Sequence, residues 1–109
     1  MKSFVDKIEM DGNTIKEVYK DVLNEMIFDT KVIMEETDSS ELTYLVAEMI
    51  SKYCLVINLL EMDEEYEKCS EILKMLKVVV LEYYPITKEE LEYDINLSIT
   101  LYKELLNGN

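Results

Sequence analysis

The sequence predicts an all-α fold, an antiparallel four-helix bundle or a closely related compact helical array. Apolar side chains recur at steps of three and four residues through most of the chain, the spacing that lines one face of a helix. Only two glycines and one proline interrupt the 109 residues. The gaps between periodic segments are two to four residues long, and links that short favour antiparallel neighbours. A chain of this length is expected to form one domain, residues 1–109, that buries roughly two-thirds of its extended surface.

Residues 1–12 read as either a short helical turn or an extended arm, with Phe4, Val5, Ile8 and Met10 available to staple it to the body. Asp11-Gly12-Asn13 has turn chemistry, and Asn13 fits a helix cap. The first long helix is predicted from about Thr14 to Glu36. Ile15, Val18, Tyr19, Val22, Leu23, Met26 and Ile27 form its stripe, and Val32 and Ile33 continue it. Asp29-Thr30 is the expected place for a kink or break, because short polar side chains compete for backbone hydrogen bonds.

A second helix starts where Asp38 and Glu41 match a capping box. Its stripe is Leu42, Leu45, Val46, Met49, Ile50, Tyr53, Val56, Ile57 and Leu60. From Tyr53 to Leu60 it is apolar on several sides, so this half is expected to meet more than one neighbour. Asp63 is the expected cap of a third helix, with Tyr66, Cys69, Ile72, Leu73, Leu76, Val80 and Tyr83 facing the core. The β-branched run Val78 to Val80 does not make a strand, since the helical pattern enters from residue 66 without a breaker. Pro85 ends this helix at about Tyr84. Thr87 and Glu90 form another capping-box pattern, and Leu91, Ile95, Ser98, Ile99, Tyr102, Leu105 and Leu106 give the fourth helix its stripe. Gly108 stands where a helix normally stops.

Charge restricts function more sharply than any motif. Twenty-four acidic residues face 11 basic ones, there is no histidine, and the formal net charge is −13. A body with this charge repels DNA, RNA and anionic lipid and attracts basic partners. Direct nucleic-acid binding and membrane association are therefore not expected. No run approaches the roughly 18 apolar residues of a membrane span, and the opening residues contain no hydrophobic signal core, so a cytoplasmic protein is expected. Cys54 and Cys69 are too few for a disulfide framework and read as buried thiols, unless two helices bring them face to face.

The missing histidine removes Glu-x-x-His metal sites, histidine acid–base catalysis and nucleophile–histidine triads. No glycine-rich phosphate loop is present, and Ser39-Ser40 reads as a helix start. The remaining catalytic alternative is a divalent-metal hydrolase of nucleotides, with Glu61, Glu64, Glu89 and Glu92 as helix-borne ligands. Against it, 17 glutamates in 109 positions produce about two or three Glu-x-x-Glu pairs by chance, and the chain has three. The acids also gather at predicted helix starts, where the helix dipole favours negative charge. No cofactor is expected, and the expected class is non-enzymatic.

Eight tyrosines and no tryptophan make the second signal. Tyr83 and Tyr84 precede Pro85, and Tyr93 follows early in the fourth helix. Tyrosine buries apolar area while keeping a polar handle, which suits binding hot spots. Asp63, Glu64 and Glu67 in one acidic segment, and Glu89, Glu90 and Asp94 in another, would supply field and register for a basic protein surface. Residues 61–71 carry a net −5 and residues 82–94 a net −4. Rows of acids on a rigid bundle can also mimic nucleic-acid phosphates in the basic cleft of another protein, with steering that depends strongly on salt.

Two short segments, Asp38-Ser39-Ser40-Glu41-Leu42 and Tyr83-Tyr84-Pro85, resemble parts of the immunity proteins of DNase colicins, small acidic helical bundles that neutralise toxins. In that family a comparable Tyr-Tyr-Pro segment lies in a short third helix that contacts the nuclease. Here it ends a long helix, and the two segments are spaced more widely. The resemblance covers fewer than ten residues and implies an inhibitor. The leading expectation is thus an acidic protein-binding module, an inhibitor or immunity protein that masks a basic surface. The alternative is a structural or oligomeric helical protein, a homodimer included, that associates through the excess apolar width at Leu55, Leu59, Val78, Val79 and Leu81.

Overall fold

The computed structural model describes residues 3–108. The all-α expectation holds: five helices and no strand are found among the described residues. They are α1 (Phe4–Glu9), α2 (Tyr19–Glu35), α3 (Ser39–Met62), α4 (Tyr66–Tyr83) and α5 (Lys88–Leu106). The chain divides into two compact units, residues 1–35 and 36–109.

In the first unit, the ambiguous N-terminal segment forms the short helix α1 over residues 4–9, and residues 1 and 2 lie outside the described residues. Ser3 caps it by accepting the Val5 N–H. Phe4 is buried, whereas Met10, expected to join it, is exposed. Two polar contacts tie α1 to α2: the Phe4 N–H donates to Glu25 Oε1 at 3.3 Å, and Lys7 Nζ lies 3.0 Å from Asp21 Oδ2. Asn13 is not a helix cap. Thr14 and Glu17 instead bond reciprocally through side chain and backbone, but residues 15–18 form irregular turns and regular helix begins only at Tyr19. Ile15 and Val18 are nevertheless buried, as their spacing predicts, while Ile27 is exposed. The helix is not broken at Asp29-Thr30. The Thr30 hydroxyl donates to the Met26 carbonyl at 2.8 Å, one turn back, so its polarity is satisfied inside a continuous helix.

The second unit is built around α3. Val46, Met49, Ile50, Tyr53, Cys54, Val56, Ile57, Asn58 and Leu60 are all buried, so the expected many-sided burial of its last turns is found. Asp38 caps α3 by accepting the Ser40 and Glu41 N–H groups. The reciprocal half of the predicted box is replaced, because the Asp38 N–H donates to Glu36 Oε1. Helix α4 packs antiparallel to α3: Tyr84 meets Thr43, and Cys69 meets Ile57. Helix α5 runs with α3, as the pairs Cys54–Ile95, Asn58–Ile99 and Glu61–Lys103 show. The result is an up-down-up arrangement. Buried Ile72, Leu76 and Val80 of α4 and Leu91 and Ile95 of α5 complete the core. Asn58 is the one buried polar side chain among the described residues, and its amide donates to the Cys54 and Ile99 carbonyls.

Asp63 does not cap α4. It is the C-cap of α3, and the next residue, Glu64, takes the left-handed conformation with φ 59°. The Glu64 N–H donates to the Glu61 carbonyl and the Glu65 N–H to the Leu60 carbonyl. These paired bonds form a Schellman motif, which closes a helix end and ordinarily uses glycine at the left-handed position. Helix α4 follows at once, and its N-cap Glu65 makes no side-chain cap bond. Tyr66, expected in the core, is exposed.

Candidate functional site

The turn between α4 and α5 is shaped by Pro85. A residue before proline is pushed out of helical conformation, and Tyr84 is extended at φ −127° and ψ 137°. The chain then re-enters helix through a complete capping box. Thr87 Oγ1 accepts the Glu90 N–H, and Glu90 Oε1 accepts the Thr87 N–H, both at 3.1 Å. Hydrogen bonding to the Glu90 carboxylate from the Thr87 side chain and from its backbone N–H lowers that carboxyl from its ordinary value. The Tyr84 hydroxyl sits 3.1 Å from Thr43 Oγ1. Since the Thr43 hydroxyl donates to the Ser39 carbonyl, the tyrosine is the donor, and the corner is tied to the first turn of α3.

Tyr83 and Tyr84 are half-buried, whereas Tyr93 is 69% exposed. Tyr93, Ile86, Glu89, Glu90 and Asp94 line a shallow open depression of about 410 Å³. Glu89 and Asp94 are exposed and make no ion pair among the described residues. Glu92 turns away toward Lys77, at 3.8 Å. The corner therefore presents one aromatic ring among three carboxylates.

The other predicted acids lie elsewhere. Asp63, Glu64 and Glu67 occupy the α3–α4 turn and the start of α4, at the end of the unit where Glu61 meets Lys103 at 3.1 Å. The 15 residues from Lys88 to Lys103 separate the two ends by about 20 Å at 1.5 Å per residue. The proposed interface set is thus two surfaces. At the far end, Glu61 is paired to Lys103 and Glu65 to Lys68, at 3.0 Å. A smaller notch of about 120 Å³ there is lined by Asn58, Glu61, Met62, Lys103, Leu106 and Asn107.

The carboxylates suggested for a metal do not converge. Glu61 and Glu64 belong to the far end, and Glu89 and Glu92 to the corner. Among the described residues no group of three or more acidic or cysteine side chains is placed to hold a metal ion. Cys54 and Cys69 are free thiols that donate to different backbone carbonyls, of Ile95 and Ile57. Burial pushes the Cys54 thiol up to about 12, and burial followed by the charge of Glu61 raises Cys69. Neither has the thiolate character of a nucleophile. Of the self-association residues, Val78 and Leu81 are exposed, while Leu55, Leu59 and Val79 are half-buried.

Sequence reasoning missed a surface on α5. Leu105 and Leu106, assigned to the core stripe, are exposed. Leu97, Leu101 and Leu105 are 48%, 51% and 70% exposed and continue from Tyr93 at steps of four residues. The inward stripe runs separately through Leu91, Ile95, Ser98, Ile99 and Tyr102, where the Tyr102 hydroxyl lies 2.6 Å from Ser51 Oγ. A second period-four series in one helix was the available signal.

No helix among the described residues is long and apolar enough to cross a membrane. No protein-family model, curated protein or solved structure matches the chain.

Proposed function

We propose that this chain is a non-enzymatic acidic binding module that masks a basic surface of another protein, in the manner of an inhibitor or immunity protein. The observation that supports the reading is the exposed Tyr93 ring in a depression bordered by Glu89, Glu90 and Asp94. A lysine or arginine side chain entering there meets an aromatic face and carboxylates together, which combines cation–π attraction with charge pairing. The net charge of −13 adds long-range steering of a basic partner. Tyr83 and Tyr84 act as support, since their half-buried rings and the Tyr84–Thr43 bond hold the turn. Asp63, Glu64 and Glu67 contribute to the field and not to the contact. A cytoplasmic setting goes with this reading, supported by two free thiols.

The test is capture of a partner from the source cell on the full chain, followed by titration of the purified pair. Glu89→Lys combined with Asp94→Lys reverses the field at the corner and spares Glu90, which completes the Thr87 capping box. The expected result is at least a tenfold loss of affinity and a flatter dependence on salt. Unchanged affinity with an unchanged salt slope eliminates the corner as the contact.

A further inference from the structure

We infer that the outer edge of α5, from Tyr93 through Leu97 and Leu101 to Leu105, is a docking track for an amphipathic helix with lysine or arginine flanks; this rests on the proposed binding of a basic partner and names the form that partner takes. The four side chains stand at steps of four residues and cover about 18 Å at 1.5 Å per residue. Each is about half to two-thirds exposed. Apolar side chains repeated on the outer side of a helix, beside a separate buried stripe, are an unpartnered second face.

Charge selects among occupants. Glu90 and Asp94 stand one turn before Tyr93 and Leu97, and Glu104 stands one turn after Leu101. All three are exposed. Lys103, on the same helix, is turned to Glu61 at 3.1 Å, and Lys77 of α4 reaches Glu92 at 3.8 Å. A second copy of the chain would bring the same acids against these, and like charges in juxtaposition oppose docking. Area argues the same way. Fully exposed aromatic side chains offer about 150–250 Å² each, so this track supplies at most about 500 Å², short of the roughly 800 Å² per partner of a stable interface between globular bodies.

Geometry selects a helix. The track is made of side chains on an intact helix, whose backbone groups are already bonded within α5. An extended segment laid there would gain no backbone hydrogen bonds from α5 and would have to keep its own N–H and C=O groups in water, which limits how closely it can pack on the leucines. A helix satisfies its own backbone, and its ridges at three- and four-residue steps fit the grooves beside the Leu97–Leu101–Leu105 ridge. The corner depression at Tyr93 then receives the basic residue at one end of the docked helix.

The test uses the full chain and two synthetic helical peptides of about five turns with the same leucine stripe, one flanked by lysine and one by glutamate. Calorimetry at low and high salt is expected to show saturable one-to-one binding of the leucine–lysine peptide, weakened by salt, and none of the leucine–glutamate peptide. Leu97→Ser with Leu101→Ser should weaken binding at least tenfold, whereas Phe28→Ser, an exposed apolar site on α2, should leave it unchanged. Circular dichroism confirms that each variant is folded. Three results overturn the track: no binding of the leucine–lysine peptide, equal binding by the double serine variant, or a wild-type dimer in light scattering that the double variant dissolves. If the double variant binds equally while Glu89→Lys with Asp94→Lys does not, the track alone is lost and the corner stands. If the corner variant also binds equally, both readings fall.

Discussion

The two acidic ends of the second unit are alike in composition and different in chemistry. Each combines several carboxylates with exposed apolar side chains, Tyr93 at the α4–α5 corner and Met62 and Tyr66 at the α3–α4 turn. At the corner, Glu89 and Asp94 are exposed, and Lys77 reaches Glu92 to one side. At the far end, lysines already hold Glu61 and Glu65, and Lys103 lines the local notch. A basic partner meets a cation there. Counting charges along the chain cannot separate the two ends, because the lysine that neutralises Glu61 arrives from 42 residues away on α5.

The ends also differ in how the backbone is held, and substitution can expose that difference. The largest effect is expected beneath the corner. Leu91 is fully buried one turn into α5, and Leu91→Ala should cost about 2–5 kcal/mol through lost transfer energy and the cavity left behind. Chemical denaturation measures this, and a cost below 1 kcal/mol would mean that the corner does not rest on the core.

Asn58 probes the seam that joins the ends. Its amide bridges the Cys54 and Ile99 carbonyls in a site that is 2% exposed. Asn58→Ala leaves a gap and removes both bonds, for an expected loss of about 1–3 kcal/mol. Asn58→Leu fills much of the volume and should recover part of the loss. If Asn58→Leu is no better than Asn58→Ala, the polar contacts and not the packing set the value of the seam.

A smaller effect is expected at the corner's capping box. Thr87→Ala should cost about 1 kcal/mol, the usual value of a lost N-cap. Glu90→Gln isolates the charge. The Glu90 carboxyl is lowered on folding because Thr87 donates to and orders it, so its contribution is present above the ordinary carboxylate range and is lost as pH falls through the lowered value. The stability gap between wild type and Glu90→Gln should therefore be open at pH 7 and closed in strong acid. A gap that does not change with pH would remove charge from the box.

The capping box at Thr87 and Glu90, the stop at Pro85 and the buried stripes were all readable from the chain, because each depends on residues within one or two turns. Asp63 was misread for a physical reason. An acid before a periodic segment fits an N-cap, but here the preceding helix overran and used that residue for its own closure. The Thr14 start was displaced because a reciprocal side-chain pair can organise a turn without making a regular helix. The division of the acids between two ends follows from the direction of α5 relative to α3. The outward series through Tyr93, Leu97, Leu101 and Leu105 was visible in spacing but masked, since a single inward stripe already accounted for the helix. Sites that need two or more elements brought together are where local rules lose their hold.

Glu64 offers the finest probe of the far end. An L-residue with a side chain in the left-handed region places Cβ close to the following carbonyl, at about 1–2 kcal/mol. Glycine removes that contact, but its freer unfolded chain gives back about 0.5–1 kcal/mol. Glu64→Gly is therefore expected to stabilise the protein by about 0.5 kcal/mol, a change at the limit of careful thermal or denaturant measurements. Glu64→Ala separates conformation from charge: it keeps Cβ and removes the carboxylate from a crowded anionic turn. If both variants gain equally, electrostatic relief is the cause. If glycine alone gains, the turn carries backbone strain that the α4–α5 corner, with its proline and capping box, does not. At physiological salt, partner affinity should be unchanged in either variant, because Glu64 lies about 20 Å from the corner, more than two screening lengths away; a loss of affinity there would return the far end to the binding surface.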